Sequence, residues 1–367
     1  MLPIRFNIHN SEYNWLSNLY ACQVDVMGRQ FLSAEHAYQF AKAYIFGNEK
    51  QAMAISSSID PQQAMFLGKR TIPRNSRNHE KWDAIKYTIM HSIVEAKFSI
   101  NNNLLKQLKE TKNRPLIEET QHPFWGGTSR SGQNKLDKIL EAVRVGTITT
   151  PILIGDSIVA RIPRYVSMSD LPYITMYWSG AGMDLLFRIL EIVAQNSRTI
   201  LFAGGTNDLT IKPSPILAQQ LCYYSDGTIM CRAAHKVLKR IEGKTKTILN
   251  RMPNMTIIFL ELLPRFDQIP NSASECCDGH IHNIKLSKIQ KCVSKYNVQL
   301  KAMTERLSQT YNVDCMHVYK EMSNYKLFLK NDLLDLHPNK VGTIQYANIV
   351  RLALEEHVRR CETFIRK

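Results

Sequence analysis

No stretch of the sequence approaches the roughly 18 uninterrupted apolar residues of a membrane-spanning helix. The opening Met1-Leu2-Pro3-Ile4-Arg5-Phe6 lacks the long apolar region of a secretory leader. No membrane association is therefore expected, and the reading is a soluble intracellular protein, cytoplasmic or nuclear. There is no internal repeat and no low-complexity tract. The eight cysteines (Cys22, Cys222, Cys231, Cys276, Cys277, Cys292, Cys315 and Cys361) follow no repeating spacing, which suits reduced thiols. Cys276-Cys277-Asp278-Gly279-His280-Ile281-His282 matches no standard zinc spacing, so a solvent-exposed loop is expected there and no metal. Acidic residues are also short: 32 Asp and Glu stand against 47 Lys and Arg, for a net charge of +15. That excess favours polyanionic company such as nucleotides, phosphorylated substrates or nucleic acid. A solvated basic surface accounts for it equally, because no arginine-rich run dominates.

The 367 residues, 44% hydrophobic and 22% charged, are enough for two domains, each with its own core. Boundaries are expected at 1–147 and 152–367, with a short linker over 148–151. In the first part, Cys22 to Met27 reads as a strand that Gly28-Arg29 turns into Gln30-Phe31-Leu32. Ser33 then stands as an N-cap for a helix over Ala34 to Tyr44. Within it Glu35, Gln39 and Lys42 follow i, i+4, i+7 and share one face; on spacing alone a solvated face is the expectation. Pro61 opens another helix, and Ile85, Ile89, Ile93 and Phe98 mark a core-facing one over Trp82 to Phe98. A last helix is expected from Leu136 to about Arg144.

These pieces resemble, in order, the NADAR family of N-glycosidases. The resemblance rests on Leu16-Ser17-Asn18, Ser33-Ala34-Glu35-His36-Ala37-Tyr38-Gln39-Phe40-Ala41-Lys42-Ala43, Ala96-Lys97-Phe98, Leu116-Ile117-Glu118, Trp125-Gly126, Gly132-x-Asn134 and Arg144. It implies a helix-rich α+β fold, an ADP-ribose-like or nucleotide substrate, and hydrolysis of a base-to-ribose bond. Glu35 would stabilise an oxocarbenium-like state or activate water. Lys42 would bind phosphate, protonate a leaving group or attack C1. Ser17, Asn18, Ser33, Gln39, Trp125, Gly126 and Asn134 would hold the ligand, with Trp125 stacking on a base. Two positions depart from the family pattern: His122 stands where an acid is usual, and Asp137 where a glycine is.

In the second part, Ile152 to Ile154 reads as a buried strand that stops at Gly155-Asp156-Ser157. Further strands are expected at Tyr173 to Trp178, Arg198 to Ala203, Thr256 to Leu260 and Cys315 to Val318. Helices separate them, and the last, after Asp332-Leu333-Leu334-Asp335-Leu336-His337-Pro338-Asn339, closes the chain. Such alternation argues a parallel sheet covered on both faces. Gly-Asp-Ser, Gly180-Ala181, Gly204-Gly205-Thr206-Asn207-Asp208 and the late histidine resemble the SGNH (GDSL-type) hydrolases. The resemblance implies an α/β three-layer, flavodoxin-like fold. It also implies Ser157 as nucleophile and His337 as base, with Gly180, Asn207 and the Ser157 N–H as oxyanion donors. The acid that orients His337 is usually three residues before it, where Leu334 stands; Asp335 is the expected substitute, with Asp332 the other. Arg265, near the sheet's carboxyl edge, would touch an anionic substrate or simply face solvent. Neither resemblance brings a cofactor. The whole reads as a bifunctional N-glycosidase and serine esterase, with a binding protein that has lost turnover as the alternative.

Overall fold

The computed structural model describes residues 2–9, 12–72, 76–128, 132–146, 150–194, 199–209, 227–264, 286–323 and 338–365. The chain divides into two compact units: Met1–Thr149 with Arg188–Ser197, and Thr150–Phe187 with Arg198–Lys367.

The first unit is the expected helix-rich α+β fold. Its strands are three residues each: β1 (Ile4–Phe6), β2 (Val24–Val26), β3 (Arg29–Phe31) and β4 (Leu116–Glu118). β2 and β3 form the expected hairpin, turned by Met27 and Gly28, both at positive φ. β1 pairs in parallel with β4, Ile4 opposite Leu116 and Phe6 opposite Glu118. Around these pack α1 (Ala34–Ile45), α2 (Glu49–Ser56), α3 (Pro61–Lys69), α4 (Arg77–Ile100), α5 (Asn102–Glu110) and α6 (Lys135–Val145). The 3.6-residue pattern of α4 buries Ile85, Ile89, Ile93 and Phe98 completely.

The second unit contains β5 (Ile152–Gly155), β6 (Ile174–Tyr177), β7 (Thr199–Ala203), β8 (Thr256–Leu260) and β9 (Val313–Met316). They form one parallel sheet in the order β6-β5-β7-β8-β9, the flavodoxin-like order of doubly wound folds. Its helices are α7 (Ile162–Tyr165), the first part of α8 (Met183–Val193), α9 (Gly227–Arg251), α10 (Leu286–Ser308) and α11 (Lys340–Ile365). Successive side chains of a strand point to opposite faces. On one face Leu153, Leu201 and Ile258 lie in register and join a core with Ile162 of α7 and Tyr346, Val350 and Leu354 of α11. On the other, Phe202 contacts Phe187 of α8 and Phe259 of β8, with ring centroids 4.9 and 5.7 Å away. Three layers result, as expected. The order reverses beside β5, so the crevice outside the carboxyl ends of β5 and β7 is where such a sheet binds ligands. Among the described residues no helix is long and apolar enough to cross a membrane.

Candidate functional site in each unit

In the first unit the site is built on α1. Ser33 Oγ accepts the His36 N–H at 3.2 Å and lies 2.8 Å from His36 Nδ1, so Ser33 serves as the N-cap. The helix then turns Glu35, Gln39 and Lys42 inward. The solvated face expected from spacing alone is thus corrected: Glu35 is 9% exposed and Gln39 5%. Periodicity gives a shared face but not the neighbour that covers it, which here includes α3. At Gly68 of α3 an added Cβ would lie 1.9 Å from Gln39 Oε1.

The electrostatics follow from burial. Gln39 Nε2 donates to Glu35 Oε1 at 2.7 Å. Burial pushes the Glu35 carboxyl up; that hydrogen bond and the charges of Lys42 and Lys69 act against the rise. Burial holds Lys42 down to about 8, opposed by Glu35 and assisted by Lys69. A second buried carboxyl, Glu118 of β4, is pushed up to about 7 by burial and then by the Glu35 charge.

The segment after β4 folds back on itself. Gly127 donates its N–H to Glu118 O at 2.9 Å, and Gly126 to His122 O at 2.9 Å. Gly126 is required because a Cβ there would sit 2.2 Å from Thr120 O. His122 Nδ1 accepts the N–H groups of Phe124 and Trp125, both at 3.2 Å. The histidine thus fills the capping place a short acid would take at such a turn. Trp125 meets Tyr38 of α1 edge-on at 5.9 Å, and Tyr38 meets Trp82 at 5.3 Å.

Asn134, at φ +47, caps α6 in the left-handed region that asparagine tolerates. Its Oδ1 accepts the Glu118 N–H and its Nδ2 donates to Leu116 O, at 3.3 and 3.0 Å, stapling the edge of β4. Asp137 takes the Leu116 N–H and is raised to about 7, chiefly by burial. Ser17 Oγ accepts the Leu19 N–H at 3.2 Å, and Asn18 O accepts the Glu35 N–H at 2.9 Å. Asn18 Nδ2 faces Met90 Sδ at 3.2 Å, and its buried Oδ1 has no hydrogen-bond partner among the described residues. Lys97, fully buried, donates to Trp15 O and Ser17 O at 2.8 Å each and holds this turn. The structure therefore gathers Glu35, Gln39 and Lys42, with Asn18 tied to Glu35 and Trp125 docked on the same helix. Ser33 and Asn134 are engaged in caps and staples. Sequence reasoning missed Lys69 and the burial of Glu118, although the Leu116-Ile117-Glu118 motif carried the latter.

In the second unit the turns after β5, β6 and β7 converge. Gly155 is needed where it stands, since a Cβ would lie 2.2 Å from Val159 and 2.8 Å from Ala203 O. Asp156 is buried; its Oδ1 accepts the Ile158 N–H at 3.0 Å and its Oδ2 the Asn207 side-chain amide at 3.2 Å. The same amide donates to Ala181 O at 2.9 Å. Gly180 takes φ +76 in the turn after Trp178. Half-buried Ser157 follows Asp156 at this junction. A small cleft beside it is lined by Asp156, Ile158, Glu261, Leu262, Leu263 and Tyr346 among others. Asp208 caps α8 by accepting the Met183 N–H at 2.8 Å; burial raises it to about 6. His337, Asp335, Asp332, Leu334, Arg265 and the Cys276–His282 segment lie outside the described residues.

The NADAR domain model matches residues 5–146. A riboflavin biosynthesis protein of Vibrio vulnificus is 32% identical over 144 residues, which is 39% of this chain and 38% of that protein. The chain thus spans well under half of that relative. The N-glycosidase YbiA of Escherichia coli is 28% identical over 143 residues, 38% of this chain and 86% of YbiA. An N-glycosidase of Acanthamoeba polyphaga mimivirus is 30% identical over 128 residues, 31% of this chain and 74% of that protein. Among solved structures, an extracellular lipase from Streptomyces rimosus is 12% identical with a TM-score of 0.36, covering 55% of this chain and 98% of its own. Through residues 5–146, the chain belongs to the NADAR family.

Proposed function

We propose that the chain is a two-domain hydrolase. Its first unit cleaves the N-glycosidic bond of an ADP-ribose-like or ribosyl-nucleotide substrate, ADP-ribosylated guanine being the leading candidate. Its second unit is a serine esterase or acylhydrolase acting through Ser157, with His337 as base and Asp335 or Asp332 behind it. The observation that carries the first assignment is the buried Glu35–Gln39 pair with Lys42 beside it. A carboxylate held in a dry site by a side-chain amide and a cation suits stabilisation of an oxocarbenium-like ribose. Lys42, held down to about 8, carries a neutral fraction near neutral pH, so nucleophilic attack on C1 stands beside phosphate binding as its role.

Nucleobase release from ADP-ribosylated guanine by the full chain tests the first assignment, with Glu35→Gln and Lys42→Ala as controls. Release that disappears in both variants supports it; release untouched by either refutes it. Labelling by a fluorophosphonate, abolished in Ser157→Ala, tests the second. One observation favours a second unit that binds without turnover. The Asn207 amide, wanted for the oxyanion, already donates to Asp156 and to Ala181 O. Absence of labelling on folded protein would select that reading.

A further inference from the structure

Two carboxyl groups are buried in the first unit's site, and their surroundings differ in kind. Burial raises the Glu35 carboxyl, but the Gln39 amide at 2.7 Å and the positive charges of Lys42 and Lys69 all favour its ionised form. Glu118, 8% exposed, has poorer support. Its Oε2 lies 3.5 Å from Thr120 Oγ1, the long limit of a hydrogen bond, and the charge acting on it is that of Glu35.

The Glu35 charge reaches Glu118, and the segments that carry the two groups meet. The Gly127–Glu118 hydrogen bond closes the segment that carries Trp125, and Trp125 docks edge-on against Tyr38. Tyr38 stands three residues from Glu35 on α1, and residues at that spacing are neighbours on a helix surface. The other elements against β4 offer Glu118 no competing partner among the described charges. On β1, Arg5 turns to Glu119 at 3.7 Å. On α6, Asp137 takes the Leu116 N–H and interacts with Glu141, Arg144 and Lys138. His122 is no substitute acid, because accepting two backbone N–H groups at Nδ1 disfavours the imidazolium form. Burial and the charges of Lys86 and Lys69 also hold its protonation down.

Two carboxylates sharing a dry site do not both ionise, and the proton settles on the less supported one. We propose that Glu118 is the general acid of the glycoside cleavage and Glu35 its ionised partner. The assignment rests on the N-glycosidase reading of the same site. As the C1–N bond breaks, its electron pair goes to the base nitrogen, which takes the proton from Glu118. The positive charge left on the ribose faces the Glu35 carboxylate. Water then bonds to C1 through oxygen and returns one proton to Glu118, so the acid is regenerated and one water is consumed. Protonation of the leaving group thus falls to Glu118 and not to Lys42, which keeps the phosphate or nucleophile role.

The test uses the full chain with two leaving groups. ADP-ribosylated guanine needs a proton as it departs; the nicotinamide of NAD is already cationic and does not. Glu118→Gln is expected to slow guanine release by ~10²–10⁴-fold, the usual reach of general acid catalysis, and nicotinamide release less than about tenfold. The guanine reaction should also lose the decline in rate expected of the native protein above about pH 7. Equal loss with both leaving groups, or an unchanged pH profile, overturns the assignment. A second measurement is independent of turnover. Infrared difference spectra at about pH 6 should show a protonated carboxyl band that disappears in Glu118→Gln and titrates lower in Glu35→Gln. Absence of that band refutes the proton assignment. If the native chain releases neither base, the N-glycosidase reading fails on its own, while the infrared result still decides where the proton resides.

Discussion

Gln39 donates its side-chain amide to Glu35 across one turn of α1, while the other end of the same amide is pressed against Gly68 of α3. The glycine sets how near α3 can come. A Cβ at position 68 would meet not only Gln39 Oε1 at 1.9 Å but also Gln39 Cβ at 2.8 Å, which no rotamer change relieves. Gly68→Ala is therefore expected to destabilise the first unit by about 1–3 kcal/mol and to break the Glu35–Gln39 bond. Urea unfolding measures the first effect; nucleobase release, falling more than stability alone explains, measures the second.

The raised Glu118 carboxyl makes a signed prediction for pH. Its folded value, about 7, lies above its ordinary 4.5. The folded protein therefore binds more protons than the unfolded chain between those limits. The resulting stabilisation is complete below about pH 4.5 and disappears as pH rises through about 7. Its full size is on the order of 3 kcal/mol. Asp137, raised to about 7 from 3.8, acts in the same sense. Urea midpoints taken from about pH 4 to pH 8 should fall in the native chain and fall less steeply in Glu118→Gln. An equally steep fall in the variant would contradict the assignment.

Lys97 is buried, and two carbonyl oxygens, of Trp15 and Ser17, receive its protons. Burial holds it down to about 8. Lys97→Met removes both bonds and leaves two buried carbonyls, for a loss of roughly 3 kcal/mol. Because Ser17 precedes the Asn18 carbonyl that accepts from Glu35, the variant should also weaken binding of ADP-ribose. Calorimetric titration checks this, and arginine at the same position should not restore it.

His122 supplies a side-by-side comparison. Its Nδ1 accepts the Phe124 and Trp125 N–H groups, a task an aspartate performs as well. His122→Asp should keep the thermal midpoint within about 2 °C, while His122→Ala should lose about 1–2 kcal/mol for two unpaired donors. A similar loss in both would mean that the imidazole ring's packing matters more than its nitrogen.

In the second unit, Asn207→Asp sets a carboxylate against buried Asp156. The like-charge pair should destabilise that unit by about 3–5 kcal/mol. Asn207→Ala should instead slow fluorophosphonate labelling of Ser157 by ~10²–10³ if the amide also serves the oxyanion. Unchanged labelling in Asn207→Ala would leave the amide a purely architectural link among three turns.

Much of the second unit could be read directly from its residues. β5, β7 and β8 are continuous apolar runs bounded by turn residues, the pattern of strands buried on both faces, and their glycine-rich ends locate the sheet's carboxyl edge. The first unit was less legible. β1 and β4 are three residues long, too short for an alternation to stand out, and their pairing spans most of the unit. The spacing of Glu35, Gln39 and Lys42 gave one helix face; whether water or α3 lies against it is a tertiary fact. Glu118 was visible in a motif, but its weight comes from burial beside Glu35, which no local pattern encodes. The caps at Ser33 and Asn134 show the converse. Polar residues that look ready for a ligand can be fully engaged by their own backbone.

The parallel ladder between β1 and β4 joins one segment to another that is made much later. A ribosome releases β1 long before its partner exists, so the first unit cannot close its pocket until β4 and the Trp125 turn have emerged. A nascent chain stalled before Leu116 would carry Glu35 and Lys42 on an uncovered helix, exposed to chaperones and proteases. The second unit inherits the opposite order. β5 is its oldest strand and ends with neighbours on both sides, so that sheet can grow outward from its centre as translation proceeds.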